Sequence, residues 1–97
     1  MRIIALKALK DFWEDYPDSK EALKSWYAVA KKADWKTPGE AKETYGNASI
    51  LQEGRVVFNI AGNKYRLIVW INYPYRVVYI RFVGTHRQYD KVDAQKI

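Results

Sequence analysis

Apolar residues recur at three- and four-residue steps through the first third of the chain and at two-residue steps through the last third. Leu6, Leu9, Phe12/Trp13 and Tyr16 fall on one stripe, which predicts an amphipathic helix over 5–16. Pro17 ends it, because proline lacks an amide proton and its ring clashes with the preceding turn. Leu23, Trp26, Tyr27, Ala30 and Ala33 form a second helical stripe. Asp18, three residues before Glu21, has the spacing of a capping box and is the expected start of that helix. So short a connection predicts an antiparallel helical hairpin. In Thr37-Pro38-Gly39-Glu40, an N-cap threonine, a proline at the first helical position and a glutamate at the third predict a short helix to Tyr45, stopped by Gly46. Residues 47–54 are expected to cross as a loop.

The period then changes. Residues 55–61, 64–72 and 76–83 are rich in β-branched and aromatic side chains and read as three strands. Gly62-Asn63 is the expected two-residue type II′ turn between the first two. Tyr73-Pro74-Tyr75 is the expected turn between the second and third. Thr85 with Gln88 predicts a capped terminal helix. Met1–Ile4 either adds a short strand or leads into the first helix. The order predicts an α+β fold, with two N-terminal helices packed on one face of an antiparallel β-sheet and residues 1–97 in one domain. Alternation places Tyr65, Leu67, Val69 and Ile71 against the helices, and Lys64, Arg66, Ile68, Trp70 and Asn72 on the opposite face. On the third strand it sends Val78, Ile80 and Phe82 to the core, and Tyr79, Arg81 and Val83 outward beside Arg66.

Charge adds a location. Residues 1–54 carry nine basic and nine acidic side chains and are neutral. Residues 55–91 carry Arg55, Lys64, Arg66, Arg76, Arg81, Arg87 and Lys91 against Asp90 alone, and Asp93 and Lys96 cancel, so the whole +6 belongs to the sheet half. A basic sheet interleaved with aromatics is the footprint of a nucleic-acid-binding face. Arg66 and Arg81, on neighbouring strands with no acid to pair them, are placed to grip one phosphate through planar bidentate hydrogen bonds. The chain has no cysteine, which suits a reducing cytoplasm. The first residues are too charged for a signal peptide, no apolar run reaches membrane-spanning length, and no membrane partner is expected.

Few groups titrate near neutrality. His86 is the one histidine, at the end of the third strand, with Tyr89, Asp90 and Lys91 close behind. One histidine, no cysteine and a single acid in the basic half give no metal-ligand cluster, so no metal or cofactor is expected. No Walker-type loop occurs. Metal-free cleavage of RNA suits these parts: the 2′-hydroxyl is the nucleophile, arginine answers the charge building on phosphorus, and His86 takes either proton-transfer role. Tyr89 acts as a second proton-transfer group only if neighbouring cations favour its phenolate; otherwise its ring stacks on a base.

Val57-Phe58-Asn59, Gly62-Asn63 and Arg66, followed by Tyr79-Ile80-Arg81, Thr85-His86 and Tyr89-Asp90, read V-F-N-x-x-G-N-x-x-R … Y-I-R-x-x-x-T-H-x-x-Y-D. This pattern resembles the HigB-type toxins of bacterial toxin–antitoxin systems, a branch of the RelE superfamily. The resemblance extends to I-A-L-K-A-L-K-D-F-W near the N-terminus and to A-D-W-K-T-P at 33–38. It implies a RelE-like microdomain and a ribosome-dependent mRNA endonuclease. It implies a helix-turn-helix antitoxin that silences the toxin and carries it to operator DNA. The family's polar set falls on Asn59, Asn63, Arg66, Arg81, His86 and Tyr89. Lys64, Arg87 and Lys91 join the RNA-binding set by charge and position. The division of labour between His86, Tyr89 and Asp90 stays open. A non-catalytic RNA-binding module, or a basic face that docks an acidic protein, are the competing readings.

Overall fold

The two helical stripes become the inner faces of helices lying on one side of a five-stranded sheet. The computed structural model describes residues 1–97. Helix α1 (Leu6–Asp15) buries Leu9 and Phe12, and α2 (Lys20–Lys32) buries Leu23, Trp26 and Ala30. Helix α3 (Pro38–Thr44) starts as its signature demands, with Thr37 Oγ1 accepting the Glu40 amide at 3.3 Å. The strands are β1 (Arg2–Ile4), β2 (Ser49–Ile50), β3 (Arg55–Ile60), β4 (Tyr65–Asn72) and β5 (Val77–Thr85), followed by α4 (His86–Tyr89). Their order is β1-β5-β4-β3-β2. The core lies between sheet and helices, where Trp26 and Trp35 meet Phe58 at ring-centroid distances of 5.5 and 6.1 Å. Each such fully buried large side chain contributes on the order of 1.5–3 kcal/mol. No helix is long and apolar enough to cross a membrane.

The class is α+β as expected, but the sheet is mixed and four helices are present. Strand β1 runs parallel to β5, with Arg2, Ile3 and Ile4 opposite Val77, Val78 and Tyr79. Parallel neighbours need a long crossover, and here the whole helical layer lies between them in sequence. Both hairpins also differ from expectation. The β3–β4 ladder ends at Ile60–Tyr65, so the connection has four residues, not two. Lys64 N–H closes it onto Ala61 O at 3.3 Å, with Ala61 at φ 55 and Gly62 at φ 71. Strand β5 starts at Val77, because Arg76 sits in the turn at φ 59. Its guanidinium holds that turn by donating to Asp34 Oδ1 at 2.6 Å, to the Pro74 carbonyl at 3.3 Å and to the Tyr73 carbonyl. The expected 47–54 loop contains β2 and one 3-10 turn, Gln52–Gly54.

The capping box expected at Asp18 does not form. Helix α2 begins after Ser19 with no side-chain cap. Asp18 instead accepts from Tyr65 Oη at 2.5 Å and from Lys64 Nζ, fastening the helical hairpin to the start of β4. Two bonds to a carboxylate, one of them from a cation, outweigh one local cap. The Lys64 and Tyr65 hydrogen bonds hold the Asp18 carboxyl below its ordinary range, and the same contacts raise Lys64 and Tyr65. A depressed carboxylate adds stability above its unfolded pKa and loses it as pH falls through the folded one; the raised lysine and tyrosine add theirs until pH climbs through their folded values. Asp18→Asn should therefore lower the melting temperature over about pH 5–9, with the deficit shrinking as pH falls below the ordinary carboxylate range. Melts at both ends check this, and a deficit that persists in acid would assign the loss to something other than the carboxylate.

Candidate active site

Away from the helices, three rows of side chains cross the sheet: Arg55, Trp70 and Tyr79; Val57, Ile68 and Phe82; Asn59, Arg66 and Gly84. Trp70 and Tyr79 stack at 5.0 Å. Val57 and Ile68 are buried although they are outside the main core. Residues 92–97 return from α4 across this face. Gln95 Oε1 accepts the Gln52 amide at 3.4 Å, and Arg55 Nε donates to the Ile97 carbonyl at 3.0 Å.

A bulge on β5 corrects the facing expected there. Ile68 pairs with Phe82 and Val69 with Ile80, which leaves Arg81 as the extra residue. Phe82, expected in the core, therefore sits in the outer middle row, and Val83, expected outward, packs against the core. A Cβ on Gly84 would lie 2.5 Å from Phe82 Cζ and 2.8 Å from Gln88 Oε1. The bare backbone at Gly84 is what lets the Phe82 ring and the Gln88 amide close in beside Arg66.

Gln88 and Thr85 form the predicted capping box: Thr85 Oγ1 accepts the Gln88 amide at 3.1 Å, and Gln88 Oε1 accepts the Thr85 amide at 2.9 Å. This fixes α4 at the end of β5 and brings Tyr89 to Arg66, with the guanidinium carbon 5.6 Å from the ring centroid. The His86 ring lies 6.4 Å from the Tyr89 ring, inclined at 71°. Nδ1 of His86 is 3.3 Å from Asp90 Oδ2, leaving Nε2 uncommitted. Arg66 Nη1 donates to Asn63 Oδ1 at 2.8 Å and to the Asn63 carbonyl at 3.3 Å. Asn59, directly opposite Arg66 on β3, donates to the Asn47 carbonyl at 3.4 Å.

The structure thus brings Asn59, Asn63, Arg66, His86 and Tyr89 together. Arg81, Arg87 and Lys91 are exposed, with no side-chain hydrogen bond into the cluster; Arg87 flanks His86 and Lys91 follows α4, whereas Arg81 is the bulge residue of β5. Lys64 points elsewhere, to Asp18. The charge excess sorts the same way: Arg55, Lys64 and Arg76 pair with Glu53, Asp18 and Asp34, whereas Arg66, Arg81, Arg87 and Lys91 have no carboxylate partner. What sequence reading missed is the pair Phe82 and Gly84. The signal was a glycine inside a strand, which marks a close approach. No group of three His, Cys, Asp or Glu side chains gathers anywhere in the molecule.

An unpaired arginine held between an amide and an aromatic ring, with a histidine beside that ring, gives this small α+β domain a basic surface cluster. Comparison with known proteins makes this specific. The HigB toxin family, the RelE-like toxic component of a toxin-antitoxin system, matches residues 19–92, and the chain belongs to it. The mRNA interferase toxin HigB of Escherichia coli K12 is 33% identical over 92 residues, which cover 93% of this chain and 88% of the relative. The mRNA interferase HigB of Escherichia coli O6:H1 strain CFT073 is 29% identical over 94 residues, covering 95% and 91%. The mRNA interferase HigB of Shigella flexneri is 33% identical over 92 residues.

Proposed function

We propose that residues 1–97 act as one toxin domain that cuts mRNA on the ribosome. The observation that carries this reading is Arg66, a cation without a carboxylate, braced by Asn63 and facing Tyr89, which also meets His86. The names of the relatives supply the substrate class. The 2′-oxygen attacks the adjacent phosphorus, the bond to the 5′-oxygen breaks, and a 2′,3′-cyclic phosphate and a 5′-hydroxyl remain. Arg66 answers the charge that builds on the phosphoryl oxygens, with Arg81 as second cation. His86, its Nδ1 turned to Asp90, moves a proton through Nε2. Tyr89 holds the guanidinium in place and offers a ring on which a base stacks. Asn59, Asn63, Arg87 and Lys91 hold the strand, while Lys64 stays with Asp18. No metal or cofactor enters the scheme. The architecture is RelE-like, the antitoxin is a helix-turn-helix protein that carries the toxin to operator DNA, and the setting is the cytoplasm.

In a reconstituted translation reaction, wild type should leave discrete cuts ending in cyclic phosphate, and His86→Gln should cut at least about tenfold more slowly at unchanged ribosome affinity. Binding to ribosomes without any cut by the wild type would replace the nuclease with an RNA-binding module.

A further inference from the structure

The helical hairpin carries a second feature, lined by helix residues alone. A cleft of about 540 Å³ runs between α1 and α2. Its floor is Leu6, Trp13 and Tyr27, all half-buried, and its rim carries Lys10, Lys20 and Lys24, all exposed. The spacing explains the shape. Leu6, Lys10 and Trp13 follow one line of α1 at four and three residues, and Lys20, Lys24 and Tyr27 do the same on α2, so the two lines face each other across the hairpin. No acid lines the cleft, and none of the three lysines is in an ion pair; the nearest such pair on α1, Lys7 with Asp11, lies off the cleft. The surrounding half is neutral overall, so this is a local concentration of positive charge over an apolar floor.

Charge and shape select the occupant. A nucleic acid needs cations and stacking rings in reach of its backbone and bases; here the rings form a recessed floor, and only the lysine heads reach the rim. An amphipathic protein segment fits better: one row of apolar side chains fills the floor, and carboxylates on its flanks meet the lysines. We propose that the α1–α2 cleft is the docking groove for an acidic, amphipathic segment of the antitoxin. This rests on the family's toxin–antitoxin pairing and is independent of how the sheet face cuts RNA.

The test uses the full chain and its cognate antitoxin. Lys10→Glu with Lys24→Glu, outside the cluster around Arg66, should weaken the complex by at least about tenfold, more at low salt, and leave the rate of mRNA cleavage unchanged. Because the chain has no cysteine, Ala28→Cys places a lone thiol on the cleft wall, and bound antitoxin should shield it from maleimide. A thiol that reacts at the same rate free and bound, with the charge-reversed pair still binding normally, overturns the groove alone. Loss of ribosome binding with the antitoxin complex intact overturns it in favour of an RNA contact. A wild-type chain that binds no antitoxin removes the pairing itself, and the groove with it.

Discussion

Arg66→Ala is expected to slow mRNA cleavage by roughly 10²–10³-fold, the usual cost of removing one donor aimed at transition-state charge. The fold should survive. Arg66 makes no ion pair, its Asn63 partner is exposed, and its loss leaves no charge buried and unanswered. Arg66→Lys should recover only part of the rate. An ammonium is a point donor and cannot brace on Asn63 and the Tyr89 ring while also presenting a flat edge to a phosphate. Lys64→Ala is the contrast: it removes a neighbouring cation already committed to Asp18, and should leave the rate within about twofold and lower stability only slightly, as expected for an exposed pair. Single-turnover cleavage on stalled ribosomes, with thermal melts on the same samples, separates these cases. An Arg66→Ala rate within about threefold of wild type would move the phosphate contact elsewhere, with Arg81 next in line.

That contrast shows what could be read from the chain and what could not. Helices α1, α2 and α3, the three long strands and the Thr85–Gln88 cap were legible because each rests on a short-range period or a four-residue motif. Strand β1 was legible only as one of two alternatives, since three residues cannot display a period and its partner lies about 75 positions away. Asp18–Glu21 has the same local logic as Thr85–Gln88 and failed, because Lys64 and Tyr65 arrive from across the fold to claim the carboxylate. The same long-range pairing divides the basic residues. Lys64 and Arg76 look as available as Arg66 in one dimension, and only the folded chain shows that acids of the neutral half have taken them. Alternation assigned the faces of β4 correctly and failed on β5 after Ile80, where the bulge at Arg81 shifts the phase by one. Of the candidate site, the ingredients were legible; the bracing of Arg66 by Tyr89 was not, because it depends on the angle at which α4 leaves β5.

Two glycines that look alike in sequence should behave in opposite ways. Gly46 and Gly54 both close a helical segment shortly before a strand, and each invites replacement by alanine to reduce the freedom of the unfolded chain. A Cβ at Gly46 would meet nothing within 4 Å, and its backbone is not left-handed; Gly46→Ala should change stability by no more than about 0.5 kcal/mol, with a gain the more natural sign. Gly54 sits at φ 81, and its Cβ would lie 2.7 Å from the Ile71 carbonyl oxygen and 3.1 Å from Trp70 Nε1. Neither cost can be relieved by turning a side chain. The first is in the backbone torsion, and the second is against backbone of β4, which is hydrogen-bonded on both sides by β3 and β5. Gly54→Ala should therefore cost about 2–4 kcal/mol. For a domain of this size that lowers the melting temperature by roughly 10–25 °C. Cleavage per folded molecule should hold, because Gly54 lies beside the Arg55–Trp70 row, at the other end of the sheet from Arg66 and α4. Growth arrest should still weaken as the folded population shrinks. Urea unfolding of both variants beside single-turnover cleavage makes the comparison. Equal, small effects at the two positions would mean that the 3-10 turn before β3 relaxes away from β4, and that the approach of Gly54 to Ile71 is not a fixed contact of the fold.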